Sequence, residues 1–572
     1  MHDALSELIC GAKDCEKIDT GGYTVITSLD YGMQRTVEKW VYAAAILSDA
    51  KNADAGLKAR GIPKSEWGWI KGLRGHNLHN AAAGVLDYRT GEVLAYAGSA
   101  SYTAKKTKKL QPQFDVLGDG WRQPGSSIKP IDYLIGIDDK TMTAATMFMD
   151  VVTNFGGGFL PTQADHAERG PVRLRSALQF SLNIPAIKAG FLNGLEHQFK
   201  RTRDLGLRYP RTAVPVASES IGTLETHPID MISAYGAIAN GGVLMPRRTI
   251  LRVLDRDGAQ VWPTAAGEPK GERVASRGAA YIITDILAGT TQTKVNPFWG
   301  KWRITNGVSG GKVRPAAYKT GTTSDNRDVH AYGYLAPPSD KTKPALVAGV
   351  WMGNSDNSPN NDKLSLDTSA PLWSAILSEV SKDLPIEGFS RVRPKGLVTA
   401  TVDAFTGMLP GPSTTKKVSE LFLAGTVPKQ SSNIATTADV DEASGLLWQE
   451  GCVGPMVTKT FVDFSSVESG FASWQKSILD WQKRAAKGPG VSGGPKRNHT
   501  SYFYGGGFYP FGQSWGGEFV PTKPCPLAPP PTICVQTDPA SPCPSVPPSL
   551  APAGIGNGNG NGNGNGNDKP KP

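Results

Sequence analysis

Residues 22–30 (GYTVITSLD) are rich in β-branched side chains and bounded by glycine and Asp30, which predicts a strand. From Tyr31 to about Lys58 the apolar positions Val37, Trp40, Val41, Ala44, Ala45 and Leu47 recur at helical spacing and predict one amphipathic helix. Residues 81–87 and 92–96 are short apolar runs joined by Tyr88-Arg89-Thr90-Gly91, a hairpin pattern. Between Pro124 and about Asn240 the pattern is mainly helical. Its clearest helix, 229–239, stops at Asn240-Gly241-Gly242. Strand patterns return at 314–320, 330–335 and 345–352. Helices in the middle and strands at both ends predict an α+β domain whose sheet is assembled from the two ends of the segment.

Around Lys395 the character changes. Residues 398–403 read as a strand and 405–408 as a turn, and a small β-rich module is expected to run to about Phe464. Beyond Arg484 come an aromatic-glycine run (501–519), a Pro-rich stretch (521–552) and alternating Gly and Asn (556–567). Such composition buries too little apolar surface to offset its conformational entropy, so a disordered tail is expected. The resulting division is a linker or pedestal segment at 1–70, the α+β domain at 71–395, the β-rich module at 396–484 and the tail at 485–572.

The 572 residues accord with two to four domains, and 39% hydrophobic residues supply a core, which excludes wholesale disorder. Gly and Pro, 66 and 43, crowd toward the C-terminus. A net charge of +10 suits an anionic polymer or a membrane surface and is too thin for a dedicated nucleic-acid binder. The six cysteines (10, 15, 452, 525, 534 and 543) form no C-x-x-C, which argues against zinc and is compatible with disulfides in an oxidising compartment. No apolar run reaches the roughly 18 residues a membrane span needs. The first residues, MHDALSELICGAKDCEK, lack the basic and apolar regions of a signal peptide.

The chemistry concentrates in three segments. Ser126-Ser127-Ile128-Lys129 contains S-x-x-K, and in a helix starting near Ser126 positions i and i+3 share a face, so the Lys129 amine reaches the Ser126 hydroxyl. Backbone N–H groups at that helix start suit a developing oxyanion. Ser127 has Pro130 three residues on, which selects Ser126. Ser181-Leu182-Asn183 is an S-x-N and Lys319-Thr320-Gly321-Thr322-Thr323 a K-T-G on a predicted strand, 55 and 193 residues beyond Ser126. Each is weak alone. In this order they are the set of penicillin-binding proteins and serine β-lactamases.

On these motifs, and on AAAGVLDYRTGEVLAYAGS, RSALQFSLNIPAIKAG, IDMISAYGAIANGG and YKTGTTSDNRDVHAYGYLAP, the chain over roughly residues 20–380 resembles the transpeptidase region of a class A penicillin-binding protein. The resemblance implies a serine β-lactamase/transpeptidase-like fold, an antiparallel sheet flanked by helices plus a helical subdomain. It implies a peptidoglycan D,D-transpeptidase that cross-links stem peptides ending in D-Ala-D-Ala and is acylated by β-lactams, with no cofactor and no metal. Ser126 would be the nucleophile and Lys129 its base, with Lys319 a second cation that lowers the Lys129 pKa and attracts the substrate carboxylate. Ser181 would relay a proton, Asn183 orient Lys129 and a substrate amide, and Thr320 and Thr322 meet the carboxylate. Thr323 belongs to the same substrate-binding strand, Gly321 would be structural, and the backbone N–H groups of Ser126 and Thr322 would hold the oxyanion.

Members of this family begin with a membrane helix and a glycosyltransferase domain, for which the chain before residue 22 is too short. The expectation is the cross-linking half alone, partnered by a separate glycosyltransferase or another cell-wall assembly protein. An extracytoplasmic location follows from the substrate and not from any address on the chain. Val329-His330-Ala331 stands where the family shows an aromatic pair. A D,D-carboxypeptidase, a β-lactam-hydrolysing enzyme and a non-catalytic sensor or remnant are the alternatives. Glu219 and Glu225 do not resemble a deacylation base in context. His76 and His79 read as a surface loop, Glu225 and His227 as capping and packing. Gly311-Lys312-Val313 lacks the Ser or Thr of a phosphate loop, and Asn498-His499-Thr500 is a bare glycosylation triplet.

Overall fold

The computed structural model describes residues 2–11, 15–164, 166, 168–263, 270–305, 312–412, 414, 416–486 and 519–529. A five-stranded antiparallel sheet runs in the order Ala316–Thr322, Asp328–Leu335, Leu346–Gly353, Asn80–Asp87, Val93–Ala97. Strands from before the helical region therefore lie beside strands from after it. The three central strands are buried along their whole length, because helices cover both faces.

Strand alternation decides which helix each residue meets. Tyr332 lies opposite Gly349 and tilts against Tyr235 of the helix Pro228–Ala239, ring centroids 5.5 Å apart. On the other face Tyr318, opposite Gly333, stacks on Trp373 of the helix Ser369–Val380 at 4.6 Å. The glycines make room for these rings: a Cβ on Gly349 would sit 2.5 Å from the Tyr332 ring and one on Gly333 would sit 2.7 Å from the Trp373 ring.

The long helix expected from Tyr31 is broken. Tyr31–Tyr42, capped by the Asp30 carboxylate on Met33 N–H, widens at Ala43–Leu47, and a separate helix Ala53–Ala59 starts under an Asn52 cap. The polar Ser48-Asp49-Ala50-Lys51-Asn52 stretch supplies turn and capping groups that end one helix and begin the next. The strand Thr24–Thr27 pairs with Ile250–Leu254.

The C-terminal region is two hairpins, Leu397–Asp403 with Lys417–Leu423 and Ala435–Asp441 with Met456–Val462, followed by the helix Ala472–Ala486. Each hairpin turns on an aspartate that caps its own corner: Asp403 accepts from Phe405 and Thr406 N–H, and Asp441 from Ser444 N–H. The first hairpin is anchored to the main domain by Glu420, which is buried between Arg173 and Arg175. Within the stretch expected as a tail, 519–529 is tied back onto the second hairpin by the Cys452–Cys525 disulfide and by bridges from Phe519, Pro524 and Leu527. A second disulfide joins Cys10 and Cys15. Cys534, Cys543, Gly311, Asn498-His499-Thr500, the Gly-Asn repeat and the aromatic-glycine run short of Phe519 lie outside the described residues.

Candidate functional site

Gly125–Ile128 forms a tight helical turn that runs straight into the helix Lys129–Asp138, with Pro130 in the first turn, where a missing N–H costs least. Ser126 is half-buried, and its hydroxyl bonds to none of the described residues. Ser127 is buried, and its hydroxyl donates to the Pro124 carbonyl at 2.6 Å. Tyr235 fixes the same turn by donating to the Ser127 carbonyl at 2.7 Å. One turn on, Lys129 is fully buried.

Ser181 and Asn183 bracket the start of the helix Asn183–Asn193. Ser181 has φ 59°, a left-handed conformation uncommon for a residue with a Cβ. This turn presents both its carbonyl and its hydroxyl to lysines. Lys129 Nζ donates to the Ser181 carbonyl at 2.6 Å and to Asn183 Oδ1 at 2.8 Å. Lys319 Nζ donates to Ser181 Oγ at 2.7 Å and to the Thr320 carbonyl at 2.9 Å.

The K-T-G segment closes the site from the sheet edge. Lys319 and Gly321 share the strand face that looks at the serine turn, and a Cβ on Gly321 would fall 2.2 Å from the Pro124 carbonyl oxygen. Thr320 points to the opposite face, where it is buried and accepts from the Trp299 indole N–H at 2.8 Å. Thr322, half-exposed, exchanges hydrogen bonds with Ser365 through its hydroxyl. Thr323 Oγ1 accepts from Asp328 N–H. Gly222 (φ 79°) packs so closely beneath the serine turn that a Cβ there would lie 2.1 Å from the Gly125 carbonyl oxygen.

Burial and the neighbouring Lys319 push the Lys129 amine well below its ordinary pKa, and burial lowers Lys319 to about 7. A neutral lysine amine has two protons, and both on Lys129 have acceptors. Its lone pair is then free for a third direction.

Several residues that hold this arrangement carry no recognisable motif. Gln163 Oε1 accepts the Asn183 backbone N–H at 2.7 Å and its amide donates to the buried Asp150, while the Thr162 carbonyl takes Asn183 Nδ2 at 2.9 Å. These bonds set the Asn183 amide with its oxygen toward Lys129. Nothing in the polar loop around Gln163 distinguishes it by sequence. His330, across the ladder from Gly321, donates from Nε2 to the Gln123 carbonyl at 3.0 Å and accepts at Nδ1 from Tyr332 at 2.9 Å. It thereby buttresses the approach to Ser126. Burial lowers its pKa to about 3, so it is neutral at ordinary pH.

The remaining candidates stand apart. His76 Nδ1 meets the Asn361 carbonyl and His79 lies 3.5 Å from Asp49. His227 stacks on Trp121, ring centroids 3.8 Å apart. Glu219 is buried, accepting from Thr202 and Tyr209, and burial raises its pKa to about 7.

Residues 81–339 match the penicillin binding protein transpeptidase domain, and residues 393–437 match the penicillin-binding protein 1A, C-terminal domain. Penicillin-binding protein 1A of Clostridium botulinum (strain Langeland) is 30% identical over 392 residues, covering 64% of this chain and 43% of that protein. Penicillin-binding protein 2D of Bacillus subtilis is 27% identical over 419 residues, covering 72% and 53%. The chain thus spans about half the length of these curated relatives. In fold it is similar to penicillin-binding protein 1A from Haemophilus influenzae (TM-score 0.56, 21% identity, covering 72% of this chain and 74% of that one). It is also similar to PonA1 of Mycobacterium tuberculosis in complex with penicillin V (TM-score 0.51, 21% identity, covering 68% and 92%).

Proposed function

We propose that the chain, whose residues 81–339 match the penicillin binding protein transpeptidase domain and whose residues 393–437 match the penicillin-binding protein 1A, C-terminal domain, is a class A penicillin-binding protein that acts as a serine D,D-transpeptidase cross-linking peptidoglycan stem peptides. The observation that carries the reading is the double engagement of Ser181, its carbonyl by Lys129 and its hydroxyl by Lys319, directly beside the turn that bears Ser126.

Ser126 Oγ attacks the penultimate D-alanine carbonyl as Lys129 takes its proton, a serine–lysine version of base-assisted nucleophilic attack. The tetrahedral oxyanion is held by the backbone N–H groups of Ser126 and Thr322; one such donor is typically worth about 10²–10³ in rate. As the C–N bond breaks, the departing D-alanine nitrogen takes the Ser181 hydroxyl proton, which Lys319, donating to Ser181 Oγ, replaces. An amine on a second stem then attacks the ester; as the ester bond breaks, Lys129 returns its proton to Ser126, and the proton the amine sheds passes back through Ser181 to Lys319. Lys319 and Thr322 receive the terminal carboxylate. Thr320, turned toward Trp299, supports the strand from behind.

The disulfides Cys10–Cys15 and Cys452–Cys525 fit action on the oxidising, cell-wall side of a membrane. Among the described residues no helix is long and apolar enough to cross one.

The test supplies a donor stem peptide ending in D-Ala-D-Ala together with an acceptor amine. A cross-linked product lost in Ser126→Ala supports the transpeptidase. Hydrolysed donor alone identifies a D,D-carboxypeptidase, rapid turnover of penicillin a β-lactamase, and a stable penicillin adduct with no product a sensor.

A further inference from the structure

The turn between the second C-terminal hairpin and the final helix carries Glu468 in a left-handed conformation, φ 54°, rarely adopted by residues other than glycine. Its side chain is only 10% exposed and points out of its own module into the main domain. Oε1 accepts the Met149 backbone N–H at 2.9 Å, and Oε2 accepts from Lys188 Nζ at 2.5 Å. Lys188 is fully buried, donates also to the Met149 carbonyl at 2.7 Å and lies 5.3 Å from the Trp474 ring centroid. One carboxylate from the C-terminal module thus holds a strand residue and neutralises a buried cation.

Both contacts lead to Asn183. Lys188 lies on the helix that Asn183 begins. Met149 precedes Asp150, a fully buried carboxylate that accepts from Gln163 Nε2 and meets Arg169 at 3.3 Å. Gln163 in turn accepts the Asn183 backbone N–H, and Asn183 Oδ1 accepts from Lys129. The main domain provides Lys188 with no carboxylate within salt-bridge distance among the described residues. An unpaired buried ammonium would neutralise or drag its helix toward solvent.

We propose that Glu468 is a positioning residue for Asn183 and, through it, for Lys129, so that acylation of Ser126 depends on how the C-terminal module is docked. This rests on the transpeptidase reading above. With Glu468 in place, Asn183 Oδ1 and the Ser181 carbonyl take the two protons of the neutral Lys129 amine and leave its lone pair free to accept one. Without it, the lysine keeps its burial and loses its orientation.

The test is stopped-flow acylation of the full chain by a fluorescent penicillin, separating the limiting acylation rate from the apparent dissociation constant across pH. Glu468→Gln is expected to lower the limiting rate about tenfold, the scale of losing one member of a hydrogen-bonded network. The apparent dissociation constant should stay within about twofold, and the rising limb of the pH profile should move. A purely structural role would reduce thermal stability and active fraction and leave that limb in place. Glu468→Asp, which keeps the charge on a shorter stem, is expected to fall between wild type and Glu468→Gln, and it decides the question if Glu468→Gln does not fold. Variants that acylate at the wild-type rate with the wild-type pH profile overturn the proposal. Failure of the wild type to acylate at all would instead overturn the transpeptidase reading.

Discussion

Lys319 Nζ and Ser181 Oγ lie 2.7 Å apart although 138 residues separate them in the chain. The sheet edge supplies the amine and the helical region the hydroxyl, so their contact joins the two halves of the domain. Lys319 keeps this position at the cost of burial, which lowers its pKa to about 7. A recognition pH dependence follows: capture of a carboxylate-bearing donor should weaken above about pH 7 as the amine loses its charge. Lys319→Arg, charged at all working pH values, should flatten that descending limb even if the overall rate falls. Profiles of kcat/KM against pH for the two proteins check this.

Lys129 gives the opposite limb. Burial and the adjacent Lys319 depress its pKa, and only the neutral amine can accept the Ser126 proton. The acylation rate should therefore rise with pH through the depressed pKa and then level off. Lys129→Ala should abolish penicillin labelling; labelling of Lys129→Ala at the wild-type rate would refute the base assignment.

The same shift bears on stability. Lys319 titrates near 7 folded and near about 10.4 unfolded, so the unfolded chain binds more protons in between and its contribution to stability rises with pH across that window. Relative to the wild type, Lys319→Met should show a smaller gain in melting temperature between pH 7 and pH 9. Calorimetry at the two pH values measures the difference.

His330 is neutral and doubly hydrogen-bonded beneath the serine turn. His330→Ala leaves the Gln123 carbonyl and the Tyr332 hydroxyl without this partner, at about 1–3 kcal/mol for each buried group left unsatisfied. Denaturant unfolding should register that loss, and the acylation rate should fall with it. Because its pKa is about 3 folded against about 6.5 unfolded, its contribution to stability declines as pH drops below about 6.5.

Gly222→Ala would place a Cβ 2.1 Å from the Gly125 carbonyl oxygen. The serine turn must move, and a displacement of about 1 Å can cost about 10²-fold in rate. Penicillin labelling kinetics should show that loss in a protein whose circular dichroism is unchanged.

The sheet was legible in sequence because its strands are apolar runs bounded by turns; the pattern at 314–320, for instance, corresponds to Ala316–Thr322. The second hairpin, 435–462, was harder to read, since its Thr, Asp and Lys residues mask alternation on a strand pair that is largely exposed. The three motifs could be named from their order, but the left-handed backbone at Ser181 and the orientation of Asn183 are set by Gln163, Thr162 and the two lysines, which come together only in three dimensions. Thr320 illustrates the limit. Its place in K-T-G suggests contact with the substrate, whereas strand alternation turns its hydroxyl to Trp299. At 519–529, proline-rich composition hid an ordered segment held by a disulfide.

Peptide mapping by mass spectrometry after brief exposure to a penicillin tests the central claim most directly. The account predicts one covalent adduct, on the hydroxyl of Ser126, absent from Ser126→Ala and retained by Ser127→Ala, whose wild-type hydroxyl is spent on the Pro124 carbonyl. An adduct on any other residue, or none on the folded wild-type protein, would contradict it.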